Sequence, residues 1–97
     1  GLIQDAIIDQ HFIKRSRYNR LISAVMDFPE LMGIGIDEST GILVDGKGNA
    51  EVVGVNQVIV LRNMTKKKAV KEGKMGTTGL QMDILLPGDN FKIQKVK

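Results

Sequence analysis

The sequence predicts a strand-rich α/β fold, part of a layered sheet, and three observations carry that prediction. Short apolar runs end in polar clusters, as where Ala6-Ile7-Ile8 leads into Asp9-Gln10-His11. One stretch, from Ser16 to about Phe28, places apolar residues at the three- and four-residue spacing of a helix face. Beyond it, turns bearing glycine, proline and aspartate divide the chain into brief β-prone runs.

Taken in order, Ala6–Ile8 is predicted as a buried strand whose carboxyl end presents side chains, the usual location of sites in open α/β sheets. Ser16 is the expected cap of the helix, with Tyr18, Leu21, Ile22, Val25 and Phe28 along one face. Arg17 and Arg20 stand near its start, where the helix dipole disfavours cations, and this points to another use for them. Pro29 ends the helix, and residues 29–32 are expected to add one turn. Gly33-Ile34-Gly35-Ile36 is a second strand. Its glycines allow close backbone approach, and it delivers Asp37-Glu38 at its end. Gly41–Asp45 and Ala50–Val53 form the arms of a hairpin around Gly46-Lys47-Gly48-Asn49. Val58–Leu61 is a further strand, residues 63–79 a flexible basic loop, and Met82–Leu86 the last strand, turning at Pro87-Gly88-Asp89 into Phe91-Lys92-Ile93.

Ninety-seven residues, 42% hydrophobic and 26% charged, suit one small globular domain. The absence of cysteine excludes disulfides and thiolate metal sites and leaves the compartment open. Apolar runs such as Val58–Leu61 and Ile84–Leu86 are far too short to span a bilayer, so no membrane partner is expected. The chain opens at Gly1-Leu2 without Met, and a missing upstream portion is expected. Its net charge of +3 is uneven. Arg62, Lys66, Lys67, Lys68, Lys71 and Lys74 against Glu72 give that stretch +5, so the remainder carries −2. The basic character belongs to one loop, which weakens a general nucleic-acid reading.

His11 is the only histidine. A lone histidine is more often structural, but a strand end beside Asp9 and Gln10 suits a general base. Glu38, also at a strand end, is either a solvated turn acid or a carboxylate that orients the imidazole and stabilises its protonated form. Ser16, Ser23 and Ser39 all lack the Gly-x-Ser-x-Gly setting of a nucleophile elbow, so a triad cannot close within this chain. Asp9, His11, Asp37 and Glu38 make a poor metal set, and Asp45–Glu51 fails the calcium-loop pattern because Lys47 stands where an oxygen ligand is needed. No metal or cofactor is expected. The alternative to an enzyme is a nucleic-acid or anion-binding module using the basic loop. None of the four aromatics (Phe12, Tyr18, Phe28, Phe91) lies there, so base stacking has no support and no nucleic-acid partner is expected.

Ile8-Asp9-Gln10-His11-Phe12, then Arg15-Ser16-Arg17 and Arg20-Leu21, then Gly33-Ile34-Gly35-Ile36-Asp37-Glu38, resembles the cyanophycinases of the S51 peptidase group, as does Leu86-Pro87-Gly88-Asp89 with Phe91. The resemblance covers nearly all of the chain except the lysine loop. It implies the C-terminal portion of a single catalytic domain, 1–97, with a flavodoxin-like (class I glutamine amidotransferase-like) layered sheet. It further implies a serine exopeptidase that cuts cyanophycin, a poly-aspartate with arginine on its side chains, to β-Asp-Arg dipeptides. His11 would be the catalytic base and Glu38 its orienting acid, while Asp9, Gln10, Arg15, Arg17 and Arg20 would line the substrate pocket. The serine would lie upstream, so the isolated chain is expected to be inactive. The expected partners are cyanophycin or a β-aspartyl-arginine peptide, the N-terminal portion of the same protein, and a second copy in a homodimer.

Overall fold

Residues 5–10 and 15–97 are described by the structure, a computed structural model, with the backbone alone for residues 15–18. In chain order the elements are β1 (Ala6–Gln10), α1 (Arg15–Asp27), β2 (Met32–Ile36), β3 (Thr40–Val44), β4 (Asn49–Gly54), β5 (Val58–Asn63), β6 (Ala69–Lys71), β7 (Lys74–Gly76), β8 (Leu80–Leu85) and β9 (Asn90–Lys92). Four strands form the central sheet in the order β1-β2-β5-β8. β1 and β2 are parallel, joined through α1, and β5 and β8 add on antiparallel. A second antiparallel sheet has the order β3-β4-β9, and β6 pairs with β7 in a separate hairpin.

The residues of β5 show why these pieces stack in layers. Val58 and Val60 enter one apolar cluster with Met32, Ile34, Ala50, Val52 and Ile93, while Ile59 and Leu61 enter another with Leu21 and Val25. Successive side chains of a strand point to opposite faces, so a run without polar alternation must be covered on both sides. Here α1 covers one face of the central sheet and the β3-β4-β9 sheet the other. Gly33 is what lets the helix close down on β2. A Cβ there would lie 2.7 Å from Val25 Cγ1 and 3.1 Å from Leu21 Cγ, so the close approach predicted for the glycine-spaced strand is realised against a helix.

The α/β, strand-rich class follows from the sequence, and the local departures have physical reasons. The helix begins at Arg15, so Ser16 lies inside its first turn and is not its cap. Phe28 falls after the helix and is 53% exposed, whereas Leu21 and Val25 carry the buried stripe. Proline at residue 29 yields only a hydrogen-bonded turn, Leu31 N–H donating to the Phe28 carbonyl at 2.9 Å, before β2 starts at Met32. The 63–79 segment contains the β6–β7 hairpin, closed by Glu72 and Gly73, both at positive φ (53° and 77°), the pairing that a two-residue type I′ turn requires. Asn63, wholly buried at the end of β5, anchors the start of that segment. Its side chain donates to the Lys67 carbonyl and accepts from the Lys66 N–H, both at 3.1 Å. The β3–β4 turn is fixed by Asp45, whose carboxylate accepts from the Asn49 side chain and from the Asn49 and Lys47 N–H groups, and these bonds hold its pKa below the ordinary aspartate value. Among the described residues no helix is long and apolar enough to cross a membrane.

Candidate active site

Parallel pairing of β1 with β2 sets Asp9 opposite Gly35 and Gln10 opposite Ile36. The two strands therefore finish at the same edge of the central sheet, and Asp37-Glu38 continue from that edge immediately beyond β2. This is the carboxyl end of the parallel pair, the usual location of sites in open α/β sheets. His11 follows Gln10 directly in sequence but lies outside the described residues, as do the side chains of Arg15 and Arg17, whose backbone forms the first turn of α1.

Asp9 is half-buried. It lies two residues after Ile7, which packs on the helix-side cluster, so strand alternation directs Asp9 toward α1. Arg20 comes from that helix, and the two side chains line one cleft of about 200 Å³ together with Ile7, Ile8, Leu21 and Ala24. The structure thus brings Asp9 and Arg20 to a common opening. Gln10 is exposed at the end of β1. Glu38 is exposed too, so within this segment its carboxylate meets solvent.

The turn that carries Glu38 is tightly held. Asp37 N–H donates to the Gln57 carbonyl at 3.1 Å, and Val55 N–H donates to the Ser39 carbonyl at 3.1 Å. The Glu38 carbonyl accepts from Asn56 Nδ2 at 2.7 Å and from Thr40 Oγ1 at 3.1 Å. Ser39 sits at φ 57°, a left-handed conformation uncommon for serine. Thr40 and Asn56 were not singled out by the sequence. Asparagine before a β run is an ordinary turn residue, and its partner lies 18 positions away, so no local pattern announces the contact. Among the described residues no group of three or more His, Asp or Glu side chains could hold a metal ion.

The β1-α1-β2 unit with antiparallel strands added places the chain in the α/β class, as a strand-rich part of a flavodoxin-like layered sheet. Along nearly all of its length the chain is related to the cyanophycinases, over their C-terminal part. It is 37% identical to the cyanophycinase of Trichormus variabilis over 99 aligned residues, 96% of this chain and 33% of the relative. The cyanophycinase of Geminocystis herdmanii is 34% identical over 94% of this chain and 35% of its own length. That of Synechococcus elongatus is 39% identical over 63% of the chain and 19% of the relative. The chain therefore spans about a third of the length of the first two of these relatives. No family model matches it.

Proposed function

We propose that this chain is the part of a cyanophycin-degrading serine exopeptidase that supplies the catalytic base and its orienting acid. The observation that carries this reading is the shared edge. β1 and β2 are adjacent and parallel, Gln10 is opposite Ile36, and the residues that follow them in sequence include His11 and Glu38. In this mechanism a serine from an N-terminal portion attacks the carbonyl of the scissile peptide bond while His11 accepts its proton. Glu38 holds the imidazole in the required tautomer and stabilises the imidazolium. His11 then gives the proton to the leaving amine. Water, deprotonated by His11, attacks the acyl-serine carbonyl, and His11 returns that proton to the serine oxygen as the acid product leaves. The oxyanion donors, which supply most of the stabilisation in such reactions, belong with the nucleophile, so the 97-residue chain alone has no hydrolytic activity.

Substrate recognition in this reading divides by charge. Arg15, Arg17 and Arg20 offer planar forks that suit the free carboxylates of a β-Asp-Arg polymer, and Asp9 suits the substrate guanidinium, with Gln10 beside it. The common cleft lined by Asp9 and Arg20 supports an opening able to meet both signs of a zwitterionic substrate. A homodimer of the complete protein belongs to the same proposal.

The direct test is His11→Ala in the complete protein, assayed on cyanophycin. The expected result is loss of nearly all turnover, on the order of the 10⁶-fold seen when a triad histidine is removed, with folding retained. Turnover within about tenfold of the parent enzyme would remove His11 from the mechanism.

A further inference from the structure

We infer that Thr40 and Asn56 form a clamp that positions Glu38, a role resting on the proposed function of Glu38 as the orienting acid. Three hydrogen bonds close a ring around the turn. Asn56 Nδ2 donates to the Glu38 carbonyl at 2.7 Å, Thr40 Oγ1 donates to the same carbonyl at 3.1 Å, and the Asn56 N–H donates to Thr40 Oγ1 at 2.9 Å. The hydroxyl thus gives its one proton and accepts one, which uses its capacity in both directions.

The clamp acts on the backbone at the point that aims the side chain. The Glu38 carbonyl belongs to the rigid peptide plane between residues 38 and 39, so two donors on its oxygen fix the torsion that sets the Cα–Cβ direction relative to that plane. On the other side of Glu38, the Asp37 N–H is held by the Gln57 carbonyl at 3.1 Å. The segment from Val55 to Gln57 therefore grips residues 37–40 from across the sheet junction. Ser39 at φ 57° persists because these bonds and the Val55 N–H to Ser39 carbonyl bond over-determine the turn. Gly54, at φ 112°, gives the gripping segment its close approach. A Cβ there would strike the Ser39 carbonyl oxygen and lie 2.7 Å from Thr40 Cα. If Glu38 is the orienting acid, its carboxylate must meet an imidazole within hydrogen-bond reach, and a turn fixed in this way sets the direction from which it does so.

The test uses the complete protein with Thr40→Val, Thr40→Ser, and the pair Thr40→Val with Asn56→Ala, each checked for an unchanged melting profile. Losing both donors is expected to lower kcat roughly tenfold while KM stays within about twofold, since the lost contacts serve the reacting groups and not substrate binding. Thr40→Ser, which keeps the hydroxyl, should stay within about twofold of the parent in kcat. In a Glu38→Gln background the same pair should cost nothing further, because the group they aim is already gone. An unchanged kcat in the pair, a change confined to KM, or an equal loss repeated in the Glu38→Gln background would overturn the clamp. If Glu38→Gln is itself severe while the pair is harmless, only the clamp fails. If Glu38→Gln is harmless, the orienting role fails and the clamp with it.

Discussion

The carboxyl edge of β1 and β2 and the β6–β7 hairpin are both polar in sequence, yet they are built in opposite ways. At the edge, β2 is paired on both flanks, by β1 and by β5, and the turn beyond it is tied to residues 54–57. The hairpin pairs only with itself, and all of its residues are exposed. Of the lysines in and beside it, Lys68 is tied to Asp27 at 2.9 Å, while Lys66, Lys67, Lys71 and Lys74 reach into solvent. The densest charge in the chain therefore sits where geometry is least constrained, and the sparse polar residues at the strand ends sit where it is most constrained. Because a misplacement of about 1 Å can cost roughly a hundredfold in rate, the strand ends give the proposed chemistry the firmer support.

The largest effect expected short of the triad concerns Asp9. If it faces the substrate guanidinium, Asp9→Asn in the complete protein should lower kcat/KM for an arginine-bearing substrate roughly tenfold to hundredfold, as loss of a charge-assisted hydrogen bond does. A citrulline-bearing analogue, which never made that contact, should be nearly unaffected. Equal losses on both would show that Asp9 supports the fold or the base instead. A smaller and purely structural effect is expected at Gly33. Gly33→Ala pushes a Cβ into Val25 Cγ1, which is fully buried and has nowhere to swing, so the denaturant midpoint should fall by the equivalent of about 1–3 kcal/mol. Val25→Ala in the same chain should recover part of that loss. An unchanged midpoint for Gly33→Ala would mean that α1 does not press on β2 as closely as the structure has it. The smallest effect is expected in the hairpin. Lys71→Gln with Lys74→Gln should leave kcat/KM on cyanophycin within about twofold of the parent and change little with ionic strength, because exposed charges of this kind are worth little individually. A large loss, steepening as salt falls, would reassign the hairpin as an anion-docking arm and blur the contrast between the two regions.

Much of the edge was legible in the sequence because its signals are local. A three-residue apolar run followed by Asp9-Gln10, and glycines alternating with isoleucines before Asp37-Glu38, declare two strand ends without reference to anything distant. The close approach at Gly33 could be foreseen in kind but not its partner, since Val25 and Leu21 meet it only through tertiary packing. The hairpin was hidden because a lysine-rich stretch reads as a loop. Gly73 is a fair turn signal, but Glu72 at positive φ is not one that residue type announces. Ser16 looked like a cap because serine prefers that position, a preference that does not stop Arg15 from joining the first turn. The clamp on Glu38 was illegible, since it joins residues 16 and 18 positions apart across a sheet junction.

In the proposed function Glu38, which follows β2 at the edge it shares with β1, orients His11. Glu38→Gln in the complete protein tests it most directly, because the amide keeps the size of the side chain and removes only the charge and its acceptor pattern. The expected outcome is a kcat on cyanophycin reduced by about 10⁴-fold, comparable to the loss of a triad acid elsewhere, with KM and melting temperature nearly unchanged. A turnover near that of the parent enzyme would contradict the account and assign the orienting role to another residue.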